Sequence, residues 1–209
     1  MPLAVHAYRH RFAFALLGTL LAFDVLPASA QSPETVRVRG EVVSVEGSAL
    51  DVKPRQGPDV AVTLPEKFRL SGIVKASLAD IKAGTFIGVT SVPKEGSNSR
   101  ALEIHILPEA MRGAGEGDRP WDLAPGSSMT NGTATPVDSV DGKTITVAYK
   151  GGSRVIVVGP DTSIVTYAPA DRSELKAGAK IFVNAQKGAD GTLTAMSVSV
   201  GKDGVAPPM

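Results

Sequence analysis

The chain writes DIKAGTFIGV at Asp80–Val89 and ELKAGAKIFV at Glu174–Val183, 94 positions later. The echo is not confined to that stretch. Ser44-Val45-Glu46-Gly47 returns as Ser139-Val140-Asp141-Gly142, and Leu50-Asp51-Val52 as Ile145-Thr146-Val147. Val60-Ala61-Val62 returns as Val155-Ile156-Val157, and Ala101–Ile106 as Ala195–Val200. Blocks in one order at a nearly constant offset describe a unit written twice, and a period near ninety residues is longer than solenoid repeats use. Whatever fold one copy adopts, the other has the same instructions.

Each copy reads as strands. Ile145, Val147 and Tyr149 alternate with Thr144, Thr146 and Ala148, the period-two pattern of a strand with one buried face. Asp141-Gly142, Gly151-Gly152 and Asp190-Gly191 supply hairpin turns. In the first copy the apolar phase changes near Gly40, from Val36, Val38 and Val42 to Val43 and Val45, which predicts a bulge. Ser77–Ile81 and Asp171–Leu175 are each about one helical turn behind a capping residue. Lys-Ala-Gly then ends the turn, glycine taking the left-handed C-cap. Strand, strand, strand, helical turn, strand, strand is the order of an OB-type barrel. The expectation is an all-β protein of two tandem five-stranded barrels, at residues 34–108 and 133–201. Residues 109–132 would link them and residues 202–209 would form a flexible tail. The second copy holds a full strand set, so it should fold alone.

The first thirty residues read as a signal peptide. Arg9 and Arg11 precede the apolar Phe12–Phe23, and Ala28-Ser29-Ala30 is a small-x-small cleavage pattern. Twelve apolar residues closed by Asp24 fall short of the ~20 that span a bilayer. A mature chain from Gln31 is periplasmic or secreted. Cleavage removes two of 22 basic and one of 21 acidic residues, leaving 20 of each. A neutral protein has no general attraction for nucleic acid or anionic lipid. With no cysteine, neither disulfides nor thiolate chemistry are open to it.

The glycine-bearing first strand, SVDGKTITV, SELKAGAKIFV and the closing DGTLTAMSVSV resemble the bacterial exported OB-like domains of a domain-of-unknown-function family. RPWDLAPGSSMTN and VGKDGVAPPM resemble the linker and tail of proteobacterial exported proteins with two such units. The resemblance spans most of residues 36–209 and is stronger in the second copy; Phe68–Ala76 of the first departs from it. It brings no catalytic residues and implies no cofactor.

Few side chains suggest chemistry. After residue 30 the one histidine is His105. With Leu102, Ile104 and Ile106 inward, Glu103 and His105 should face solvent, an ordinary exposed pair that could, with Met111, hold a metal. One histidine and no Gly-x-Ser-x-Gly elbow leave little room for nucleophilic catalysis. Asp118 and Asp122, in a glycine-rich stretch, lack the rigid spacing that paired carboxylates need. The six aromatic residues after residue 30 are too few for a stacking platform, and Phe86 and Phe182 have core phase. Pro108–Gly132 holds five glycines and three prolines, hence a linker, with Asn131-Gly132-Thr133 as a turn. It also carries the one tryptophan, in Arg119-Pro120-Trp121-Asp122. Either Trp121 docks on a barrel, the reading preferred here because large aromatics seldom stay exposed, or Arg119, Trp121 and Asp122 form a partner-binding plug. The function expected is an exported, non-enzymatic binding or structural module for an envelope protein, glycan or small ligand. The alternative is a metal-handling accessory protein of the periplasm.

Overall fold

The computed structural model describes Met1 and residues 34–94, 98–136 and 144–208. The expected signal peptide beyond Met1 and the Asp141-Gly142 turn lie outside them. The first copy gives strands β1 (Glu34–Glu46), β2 (Ala49–Pro54), β3 (Val60–Thr63), β4 (Arg69–Lys75), β5 (Phe86–Pro93) and β6 (Ser99–Ile106). After β7 (Gly117–Pro120), the second gives β8 (Ser128–Pro136), β9 (Thr144–Tyr149), β10 (Gly152–Val157), β11 (Ser163–Ala168), β12 (Lys180–Lys187) and β13 (Leu193–Gly201). Each half thus has six strands where five were expected. The added ones, β4 and β11, each precede a short 3-10 turn, Leu78–Asp80 or Arg172–Glu174.

Those turns explain the repeated sentence. The Ser77 backbone N–H donates to Asp80 Oδ2 at 2.8 Å and that of Asp171 to Glu174 Oε1 at 3.0 Å, each satisfying a donor that a helical start leaves open. Gly84 at φ +83° and Gly178 at φ +84° then occupy the left-handed region, which a side chain would strain.

The strands do not form two tandem five-stranded barrels. All 13 belong to one mixed sheet. Its pairing closes into two circuits, and each draws on both halves. One runs β1, β2, β3, β13, β12 and back to β1. The other runs β8, β9, β10, β6, β5 and back to β8. Parallel β3–β13 and β10–β6 pairs do the closing. The two copies have exchanged their last strands, an intramolecular form of domain swapping. Between the circuits, β4 and β11 pair antiparallel with each other, β4 lying parallel to β13 and β11 parallel to β6.

The cores follow the exchange. One joins Val38, Val42, Leu50, Val52, Val62 and Leu64 to Leu175, Ile181, Val183, Ala185, Ala195, Val198 and Val200. The other joins Ile87, Val89, Ala101 and Ile104 to Ala134, Ile145, Val147, Ile156 and Val158. Burying such a side chain is worth about 1.5–3 kcal/mol, so a half alone loses most of what holds its strands. The second copy therefore does not complete its own core. Pro33–Met209 form one compact unit.

The expected bulge in β1 lies between Val42 and Ser44. Gly40 itself serves close approach: a Cβ there would stand 2.9 Å from the Lys53 carbonyl carbon and closer still to its oxygen. Gly132 plays the same part in β8 against Ala148. The Asn131-Gly132-Thr133 triplet is therefore strand rather than linker turn, and β7–β8 is a hairpin where a linker was expected. The tail is likewise held, Arg55 Nη2 donating to Pro207 O at 2.9 Å. No helix among the described residues is long and apolar enough to cross a membrane.

Candidate functional site

Strands that are apolar on both faces build a second interior. In β5, Ile87 and Val89 enter a core while Phe86, Gly88 and Thr90 face the other way. In β12, Ile181 and Val183 do so while Phe182 and Asn184 face away. These back faces meet β6, β8 and β11 between the circuits, where Ile73, Val165 and Phe182 are buried together. Phe86 and Phe182 are both buried, as their phase indicates.

Glu103 and His105 sit there rather than in solvent, at 1% and 2% exposure. A bulge between Thr90 and Ser91 shifts the β5–β6 register, so that Ala101 joins Ile104 in the core and Leu102 is only half-buried. Glu103 and His105 still oppose that core, but Thr90, Met129 and Tyr167 pack on their side of β6. The expectation of an exposed pair assumed one wet face, and that face instead meets side chains of β8, β11 and β12.

Thr90 Oγ1 donates to Glu103 Oε1 at 2.6 Å, and Oε1 lies 3.5 Å from His105 Nε2. Glu103 Oε2 and both ring nitrogens of His105 have no hydrogen-bond partner. Tyr167 packs its ring 6.3 Å from the imidazole. Burial first, then the charge of Glu103, push its phenol up to about 12, with Arg69 opposing.

A cavity of about 120 Å³ opens beside His105, lined also by Gly88, Met111, Met129, Asn131 and Trp121. The hairpin places the tryptophan. The Trp121 N–H donates to Ser127 O at 2.8 Å, and the Ala124 N–H to Ser127 Oγ at 3.1 Å, which folds the chain between β7 and β8 into a knob. Arg37 stacks 4.0 Å above the indole, with Arg119 at 5.5 Å. Asp122 receives a 2.7 Å hydrogen bond from Arg39 and lies 3.6 Å from Arg37. Burial raises its carboxyl, but the Arg39 hydrogen bond and the two guanidinium charges outweigh that and hold it below its ordinary value. Burial, then the charge of Arg37, lowers Arg119, Asp118 opposing. Trp121 is docked, although its Nε1 finds no partner; neither does Asn131 Oδ1.

The structure thus brings both expected groups to one space: Arg119, Trp121, His105 and Met111 all line it, with Asp122 paired to Arg37 and Glu103 beside His105. Sequence reasoning passed over Arg37, Arg39, Met129, Asn131 and Tyr167. Arg37 and Arg39 were open to view as a charged i, i+2 pair opposite the core face of β1. Met129 and Asn131 were read as linker. Among the described residues no three His, Asp or Glu side chains gather as a metal-ligand set. No family model, no curated protein and no solved structure matches the chain.

Proposed function

We propose that the protein is an exported, non-enzymatic binding module of the cell envelope whose ligand enters the cavity beside Trp121. The observation that carries this reading is a set of buried polar atoms without hydrogen-bond partners on residues that line that space: both nitrogens of His105, Trp121 Nε1 and Asn131 Oδ1. A buried polar group without a partner costs about 1–3 kcal/mol, and native folds keep such groups mainly where something else completes them. Size narrows the ligand. The ~150 Å³ of an engineered cavity accepts benzene, so about 120 Å³ favours a small molecule or ion over a glycan or peptide. Metal handling is a second reading, favoured by His105 and Met111 lining the same wall.

The test uses the mature chain purified from envelope. Native mass spectrometry should find a small bound mass, released on denaturation, and Gly88→Val should abolish it. A Cβ at Gly88 would lie 2.7 Å from Asn131 Oδ1, within the cavity wall. No bound mass, or one that Gly88→Val leaves unchanged, refutes the cavity as the site.

A further inference from the structure

We infer that this cavity is a site for a soft monovalent metal ion, Cu(I) or Ag(I), held by the His105 imidazole and the thioethers of Met111 and Met129. The inference rests on the cavity being the binding site and names the chemistry it accepts.

The donor set comes first. His105 is 2% exposed and lines the cavity, and neither ring nitrogen has a hydrogen-bond partner. Met111 and Met129 line the same cavity. Thioethers are poor ligands for hard or borderline divalent ions and good ones for Cu(I), which accepts two or three soft or imidazole donors. With no cysteine anywhere in the chain, methionine is its one source of soft ligands.

Position comes next. Met129 Sδ lies 3.8 Å from Thr90 Oγ1, which donates to Glu103 Oε1 at 2.6 Å, and that oxygen is 3.5 Å from His105 Nε2. One hydroxyl and one carboxylate therefore link the sulfur to the imidazole. Gly88 faces His105 across the β5–β6 ladder, and a Cβ there would come 3.6 Å from Met129 Sδ. The absent side chain keeps the space open.

Imidazole and thioethers are neutral ligands, and the guanidiniums of Arg37 and Arg119 stack on the neighbouring Trp121. Their positive charge opposes a divalent ion more than a monovalent one. The indole, forming part of the wall, screens the ion from water and reports its arrival.

The experiment titrates the mature chain, residues 31–209, with Ag(I) in chloride-free buffer and with Cu(I) under anaerobic competition from a chromogenic chelator. One equivalent should bind and quench Trp121 emission, and Zn(II) should bind at least about 100-fold more weakly. Met111→Leu with Met129→Leu preserves volume and should lower Ag(I) affinity about 100-fold while the thermal midpoint stays within a few degrees. Failure of the wild type to take up Ag(I), equal affinity for Zn(II), or uptake that survives the double substitution overturns the inference. If the envelope-purified protein instead carries an organic mass that Gly88→Val removes, the metal assignment falls and the cavity remains the binding site. If neither ion nor organic mass is held, both fall.

Discussion

Gly40→Ala and Gly132→Ala should each destabilise the protein by about 2–4 kcal/mol, for one geometric reason. A Cβ on Gly40 meets the Lys53 carbonyl carbon and Pro54 Cα at 2.9 Å; on Gly132 it meets Val147 Cγ1 at 2.9 Å and the Ala148 carbonyl carbon at 3.0 Å. Carbon atoms rest at about 3.5–4.0 Å, so the neighbouring strand must withdraw by roughly half an ångström or more. Overpacking of this kind costs about 1–3 kcal/mol, and a weakened pair of ladder hydrogen bonds adds about 1. Urea unfolding followed by circular dichroism is the assay. At about 2 kcal/mol per M, a 3 kcal/mol loss lowers the midpoint by about 1.5 M. The two glycines lie in different circuits without a shared partner, so their effects should add. Gly159→Ala is the control: its nearest foreign atom, Thr162 Oγ1, is 3.9 Å away and its φ is not in the left-handed region, so the change should be neutral or stabilise by up to ~1 kcal/mol. A Gly40→Ala or Gly132→Ala protein within 0.5 kcal/mol of the wild type on this order-of-magnitude scale, or a control as damaging as either, refutes the close-approach argument.

His105→Ala should cost about 1–3 kcal/mol, because it empties a buried position beside an existing cavity; a change below ~0.5 would mean the side chain is exposed after all. Trp121 should emit at short wavelength and resist acrylamide, and Trp121→Ala should cost about 1–3 kcal/mol, less than a core aromatic, because the indole is only half-buried under Arg37. Red-shifted, freely quenched emission would contradict the docked hairpin. Tyr167, whose phenol is raised to about 12, holds its proton more tightly folded than unfolded. Its contribution is complete below the ordinary tyrosine range near 10 and is lost as pH rises toward 12. Stability should therefore decline across that window, and Tyr167→Phe should flatten the decline; identical alkaline profiles would show that Tyr167 is not the group responsible.

Local features were legible in the sequence because local forces make them. The Ser77 and Asp171 turns, the left-handed Gly84 and Gly178, and the alternation of Ile145 and Val147 depend on near neighbours alone. The all-β class follows from them. Part of the candidate site was visible for the same reason: a single tryptophan beside Arg119 and Asp122, and the one histidine after residue 30, beside Glu103, stand out in a chain otherwise poor in such groups. Their burial was not visible, since it depends on what covers β6 from the far side.

Partner choice is the part that only tertiary structure decided. Ile87 in the first copy and Ile181 in the second present the same side chain, and each lies across a ladder from a glycine, Gly132 or Gly40, of the opposite half. Strand pairing within one copy and pairing across copies satisfy the same hydrogen bonds and the same apolar alternation, so no local pattern separates them. The choice lies in β4 and β11. By pairing with each other they carry the chain from one circuit into the next before the last two strands are laid down. With that crossing made, Tyr167 of β11 packs beside His105, Glu103 and His105 are buried, and the Trp121 hairpin meets Arg37 of the other circuit. The sequence determined what each strand is; the exchange of strands between halves determined that a cavity lies between them.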